Sequence, residues 1–134
     1  MRHNGLVWLN GSFDVLHMGH IKLFQRARQM SLPVVVGVDT DERISELKGP
    51  TRPVNTLKNR VEFLRSIKYI DEVVVFSTDE ELEEAIHSRM PRYMLIGEDY
   101  REKEIIGSEW IKEVIYVPRY EGLSSSAIIG RAHS

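Results

Sequence analysis

Two histidines stand three positions apart in His17-Met18-Gly19-His20, just after the turn-forming residues Asn10-Gly11-Ser12-Phe13-Asp14. If a helix begins there, the two imidazoles share one face of its first turn, beside amide N–H groups that have no helical partner. An anion at that point meets both rings and several amide donors, and Gly19, with no Cβ, lets a phosphate approach the backbone. The chemistry indicated is phosphate binding. In isolation the pair reads equally as a helix cap or a solvated feature, and a metal site lacks an obvious third ligand nearby. A second set of anion donors, Ser124, Ser125 and Ser126, precedes a short helix expected from Ala127. Such serines cap a helix and leave hydroxyls for phosphate oxygens. Lys48, between a helix and a Gly-Pro turn, is a third candidate, against the simpler reading of a solvated loop lysine.

These residues need elements to position them. Leu6 to Leu9 is a compact apolar run, read as a strand buried on both faces, and it delivers the chain to Gly11. From Gly19 to Met30, Leu23, Phe24, Ala27 and Met30 keep helical spacing, with Lys22, Gln25, Arg26 and Arg28 elsewhere around the helix. Val34 to Val38 is the second strand. Asp39-Thr40-Asp41 then supplies an N-cap for a short helix that Lys48-Gly49-Pro50-Thr51-Arg52-Pro53 breaks.

Leu57, Val61, Leu64 and Ile67 mark another helix, capped by Asn55 or Thr56, and Val73 to Phe76 is strand three. Thr78-Asp79-Glu80-Glu81 has capping-box form ahead of a helix running to about Arg89. Tyr93 to Ile96 and Val114 to Val117 are strands four and five, with an irregular charged stretch between Gly97 and about Lys112. Trp8 and Trp110 read as packing residues, and Asp39 and Asp41 as caps.

Strand and helix alternate throughout. That order predicts an α/β fold of Rossmann-like, doubly wound type, a five-stranded parallel sheet with helices on both faces. Ligands of such sheets bind beyond the carboxyl ends of the strands. The Gly11 turn, the segment after Val38, Gly97 to Tyr100 and Arg119 to Ser126 all leave strands at that edge.

Composition narrows the partners. The 134 residues are expected to form a single domain, 1–134, and the net charge of −2 with basic residues dispersed gives no general reason to bind nucleic acid. The absence of cysteine excludes disulfides and thiolate chemistry and fits a reducing cytoplasm. No apolar run reaches the ~20 residues of a membrane span or resembles a signal peptide, so a soluble cytoplasmic protein is expected.

Gly11-Ser12-Phe13-Asp14 with His17-Met18-Gly19-His20 resembles the signature of the cytidylyltransferase-like nucleotidyltransferases, and Gly122-Leu123-Ser124-Ser125-Ser126 resembles their second motif. Serines replace the usual threonines there, keeping the hydroxyls. His20-Ile21-Lys22-Leu23, Tyr69-Ile70-Asp71-Glu72-Val73 and Pro118-Arg119-Tyr120-Glu121-Gly122 are similar to bacterial glycerol-3-phosphate cytidylyltransferase. Leu47-Lys48-Gly49, Arg52-Pro53-Val54-Asn55, Gly97-Glu98-Asp99-Tyr100 and Ile105 to Ser108 look more like the adenylyltransferase domain that activates glycero-manno-heptose 1-phosphate.

The resemblance implies an enzyme that moves a nucleoside monophosphate from ATP or CTP to a small phosphorylated polyol or sugar, releasing pyrophosphate. It implies catalytic roles for His17, His20, Lys48 and Arg119. Nucleotide contacts fall to Gly11, Ser12, Phe13, Gly19, Gly97, Asp99, Tyr100, Ser124, Ser125 and Ser126, and acceptor contacts to Asp14, Asp39 and Arg60. For Asp14 a place beside a cation is the other implied role. Mg²⁺ is expected as cofactor, held by phosphate oxygens and water rather than by dedicated protein ligands. The relatives imply a homodimer. Adenylyl transfer to a heptose 1-phosphate type of acceptor leads, on the Lys48 to Asn55 and Gly97 to Ser108 segments. Cytidylyl transfer to glycerol 3-phosphate follows, on chain length and Pro118 to Gly122, with a non-catalytic nucleotide-binding protein as the further alternative.

Overall fold

Apolar β-branched runs bounded by turn residues favour extended chain, and here they build one parallel sheet. The structure, a computed structural model, describes residues 2–118. In chain order it contains β1 (Asn4–Gly11), α1 (Met18–Arg28), β2 (Val34–Asp39), α2 (Asp41–Lys48), α3 (Leu57–Arg65), β3 (Glu72–Phe76), α4 (Asp79–Arg89), β4 (Pro91–Gly97) and β5 (Glu113–Val117). The strands lie in the order β3-β2-β1-β4-β5, and every pairing is parallel. This is the expected Rossmann-like architecture. The expected elements all form among the described residues, most strands running one or two residues further than their apolar runs. Arg119, Ser124, Ser125, Ser126 and the helix expected from Ala127 lie outside the described residues.

The sheet is covered on both faces, which explains why its central strands are continuously apolar. Because side chains alternate across a strand, Val7 and Leu9 enter one core with Phe24, Ala27, Val34, Val36 and Leu64. Trp8 and Val35 enter the other, with Phe76, Leu82, Ile86, Met94 and Ile111. Trp8 is fully buried and donates from Nε1 to Asn10 Oδ1 at 2.9 Å. Its ring passes so close to β2 that a Cβ at Gly37 would sit 2.7 Å from the indole, which accounts for a glycine inside the Val34–Val38 run. Trp110 stacks on His87, with ring centroids 4.0 Å apart, so both tryptophans pack against protein.

The helix caps are the local devices expected of their sequences. Thr40, rather than Asp39 or Asp41, caps α2 through Arg43 N–H, and Thr56 rather than Asn55 caps α3 through Asn59 N–H. Thr78 and Glu81 form the capping box of α4. The charged stretch after β4 holds two 3₁₀ turns, Glu98–Tyr100 and Ser108–Trp110.

From β1 the chain winds through β2 to β3 on one side, then returns to place β4 on the other side of β1. The strand order therefore reverses between β1 and β4, the place where such sheets open a crevice at their carboxyl edge.

Candidate active site

β1 ends in a turn that no regular element continues. Phe13 adopts left-handed backbone there, with φ 47°, a costly conformation for a bulky side chain. Its ring is buried against Phe24 and meets His20 edge-on, with centroids 5.6 Å apart. The backbone is thereby turned into α1 with the two histidines at its start.

The histidines are more than ligands in waiting, because they themselves cap the helix. His17 is the N-cap, and its Nδ1 accepts from Gly19 N–H at 3.0 Å. His20 Nδ1 reaches back and accepts from His17 N–H at 3.2 Å. The pair is a capping box built from imidazoles. An Nδ1 that accepts from an amide carries no proton, so each neutral ring bears its proton on Nε2. Burial first, then the electrostatic influence of His17 and Lys48, lowers His20 from 6.5 to about 4. At neutral pH His20 is therefore an uncharged Nε2–H donor of fixed tautomer.

At the crevice the described residues enclose a cavity of about 470 Å³. Gly11, Ser12, Phe13, His20, Asp39, Lys48, Gly97 and Tyr100 line it, so eight expected site residues from four separate segments are brought together. Lys48 Nζ donates to Ser12 Oγ at 3.1 Å, tying the end of α2 to the turn after β1. Lys48 as a whole residue is exposed, but crowding of its ammonium, then Arg52, holds its pKa below the usual lysine range. Burial raises the pKa of Asp39 against the opposing pull of Arg43. Tyr100 is half exposed with Lys103 Nζ 5.0 Å from its ring, and Asp99 is exposed on the same 3₁₀ turn. The position of a Cβ on Gly97 is open space.

Two expected acceptor residues have other work. Asp14 is buried, with its carboxylate accepting from Val54 N–H, Asn55 N–H and Arg52 Nε at 2.8–3.0 Å. Asn55 Nδ2 donates to the Asp14 carbonyl. Burial works to raise its pKa, but the two amides and Arg52 outweigh that and leave the carboxyl lowered. Its oxygens hold Arg52 and the loop before α3.

Arg60, expected as a surface arginine recruited for an anion, is 1% exposed. Its guanidinium donates to the carbonyls of Asn55, Ser12 and Asp39 and to Asp41 Oδ1, at 2.6–3.0 Å. It clamps the ends of β1 and β2 to the starts of α2 and α3. A buried arginine bonded to three carbonyls and Asp41 positions the backbone of the site.

Sequence reasoning missed the far wall of the cavity. Arg43, Leu47, Leu82, Met94, Glu104, Ile105 and Ile106 also line it. For Arg43 the available signal was its position four residues after Asp39, a spacing that pairs opposite charges on a helix. Nothing in the spacing of Ile105 and Ile106 marks them as cavity residues.

A doubly wound sheet with an anion-binding helix start at its topological switch defines a mononucleotide-binding class of protein. Within that class the chain belongs to the cytidylyltransferase-like family, whose profile it matches over residues 8–131. It is 40% identical over 129 residues to the bifunctional protein HldE of Helicobacter hepaticus, covering 96% of this chain and 27% of that protein. Against the bifunctional protein HldE of Nitratiruptor it is 38% identical over 133 residues, covering 99% of this chain and 29% of that protein. The chain thus spans less than a third of the length of these curated relatives. Among solved structures, the lipopolysaccharide core biosynthesis protein from Thermoplasma volcanium superposes with a TM-score of 0.70 at 20% identity, over 88% of this chain and 100% of that one. Pantothenate synthetase from Thermus thermophilus gives 0.65 at 18% identity, over 94% and 61%. At those identities the likeness is one of fold.

Proposed function

We propose that this chain is a nucleotidyltransferase that moves the adenylyl group of ATP onto the phosphate of a sugar phosphate, of heptose 1-phosphate type, and releases pyrophosphate. The carrying observation is the imidazole capping box. Its Nδ1 atoms are taken up by amides, which leaves the Nε2–H groups for an anion, and His20 lines the cavity together with Lys48 and Ser12.

The reaction asks for no protein nucleophile. An oxygen of the acceptor phosphate forms a bond to the α-phosphorus, and the bond from that phosphorus to the oxygen bridging toward the β-phosphorus breaks. Pyrophosphate leaves with the electron pair. The protein's part is alignment and stabilisation of charge as the phosphorus becomes crowded. His17 and His20 donate to the α-phosphate and the bridging oxygen. Lys48 holds the departing pyrophosphate, and Arg119, Ser124, Ser125 and Ser126 are assigned to the same task on their motif. Asp99 and Tyr100, following β4, are assigned to the base and ribose.

Among the described residues no group of three or more His, Asp or Glu side chains stands ready to hold a metal ion. We assign Mg²⁺ as cofactor on the family resemblance, arriving on the triphosphate and held by phosphate oxygens and water. When bound, such an ion offsets the charge of the leaving pyrophosphate. We also assign a homodimer, on the family resemblance, and a cytoplasmic location. Among the described residues no helix is long and apolar enough to cross a membrane.

The Lys48 to Asn55 loop and the similarity to HldE over nearly the full chain support ATP and a sugar phosphate over CTP and glycerol 3-phosphate. The second reading keeps the support of Pro118 to Gly122. A pyrophosphate-release screen crossing ATP and CTP with glycerol 3-phosphate and several sugar 1-phosphates separates them. ATP with a sugar 1-phosphate is the expected productive pair; nucleotide binding without pyrophosphate release from any pair would make the protein a non-catalytic binder. In the same assay Lys48→Ala is expected to raise the KM for the triphosphate before it affects anything else.

A further inference from the structure

At the β2 end of the cavity lies an ion pair that the phosphate chemistry leaves unused. Arg43 Nε donates to Asp39 Oδ1 at 2.7 Å, and Arg43 Nη2 donates to Asp79 Oδ1 at 2.7 Å. The Arg43 guanidinium lies 5.3 Å from the centre of the Phe76 ring. The two side chains are nearly dry, at 12% and 13% exposure, yet both line the cavity. Arg43 Nη1 and Asp39 Oδ2 have no hydrogen-bond partner among the described residues, so the pair keeps N–H donors and a carboxylate oxygen in reserve.

The charge balance says what those two groups suit. Arg43 is paired with Asp39 and with the more exposed Asp79, and Lys48 and Arg60 also act on Asp39, so the positive charge here is already matched by carboxylates. A further phosphate or a carboxylic acid would meet the Asp39 charge in a poorly hydrated place, which is unfavourable. Hydroxyls carry no charge, and each is both donor and acceptor, so two adjacent ones match a spare N–H and a spare carboxylate oxygen. Around the pair, Phe76, Leu82 and Ile105 supply an apolar wall suited to the C–H face of a ring. Phosphate-binding groups, His20, Lys48 and Ser12, line the same cavity. One molecule with a phosphate and a row of hydroxyls fills both requirements.

We propose that Asp39 and Arg43 form the acceptor-hydroxyl subsite, reading adjacent hydroxyls of a polyhydroxylated ring whose phosphate lies at the histidines. The proposal rests on the nucleotidyl-transfer reading above and adds Arg43 as a specificity-determining residue.

Steady-state kinetics with ATP and two acceptors, glycero-manno-heptose 1-phosphate and mannose 1-phosphate, test it in the full chain. Arg43→Gln and Asp39→Asn are each expected to raise the acceptor KM about tenfold or more, the size of one lost polar recognition contact (~1.4 kcal/mol). The KM for ATP should stay within about twofold. Arg43→Lys keeps a cation opposite Asp39 and Asp79 but loses the guanidinium fork, so it should shift the acceptor KM alone even if Arg43→Gln folds poorly. An acceptor KM that none of the three substitutions moves overturns the subsite while wild-type turnover upholds the transferase. An ATP KM that rises in step with the acceptor KM also overturns it, since the pair would then serve the nucleotide or the fold at large. No turnover by the wild type with either acceptor overturns the subsite together with the reading beneath it.

Discussion

His17 caps α1 with one nitrogen and is proposed to donate to phosphate with the other, and the two roles separate by substitution. Asparagine is as good an N-cap as any residue, but it places no donor where the imidazole Nε2–H stands. His17→Asn is therefore expected to keep the urea midpoint of the wild type while turnover falls about 10²–10³-fold, the usual loss for one transition-state donor. His17→Ala should lose the same turnover and, in addition, about 1 kcal/mol of stability for the cap. Equal stability of the two variants would mean that the Gly19 N–H contact contributes nothing to the helix.

His20 gives the fold a pH dependence whose sign follows from its burial. Its pKa of about 4 lies below the ordinary 6.5, so between those values the unfolded chain binds the extra proton and the folded chain does not. Stability is unaffected by this group above about pH 6.5 and declines as pH falls from there toward 4. Urea unfolding at pH 7 and pH 5 should show the loss at pH 5, and His20→Gln should remove that share of it.

At the scale of elements, the loop between α2 and α3 is held by charge turned inward. Asp14 fastens Arg52, Val54 and Asn55 to the turn after β1, and Arg60 fastens Ser12, Asp39, Asp41 and Asn55 to one another. The ends of β1 and β2 are thus locked before any ligand arrives, a form of preorganisation. Arg60→Met leaves several buried carbonyls without a donor and Asp41 without its cation. It is expected to cost about 3–5 kcal/mol by chemical denaturation, as in other broken buried ion pairs. A loss under 1 kcal/mol would return Arg60 to the surface role that its charge alone suggests.

For the molecule as a whole, the site lies where the strand order reverses, so a nucleotide bound among β1, α1, α2 and the segment after β4 would act on the entire fold. A ligand that binds only the folded state stabilises it by RT ln(1 + [L]/Kd), about 2.7 kcal/mol at a hundredfold excess over Kd. ATP is expected to raise the melting temperature in a concentration-dependent way, and Lys48→Ala should need more ATP for the same rise. An ATP series that leaves the wild-type melting temperature unmoved would argue against the crevice as a nucleotide site.

The parallel sheet was legible because its causes are local. Continuous β-branched runs such as Val34 to Val38, helical spacing from Leu23 to Met30 and the Thr78–Glu81 capping box each act within a few residues, and their alternation admits few topologies. The crevice followed from the rule that such sheets bind ligands at their carboxyl edge, and eight expected residues line it. The sequence by itself therefore determined the architecture, the family signature and, among the described residues, three of the segments that meet.

Tertiary structure alone decided the direction in which charges point. Asp14 and Arg60 are charged residues within recognisable motifs, yet their partners lie far along the chain and burial turns both inward. Arg43, unremarked in the sequence, reaches the cavity because α2 starts at its rim. Periodicity is a short-range property; burial and long-range partners arise only when distant segments are brought together.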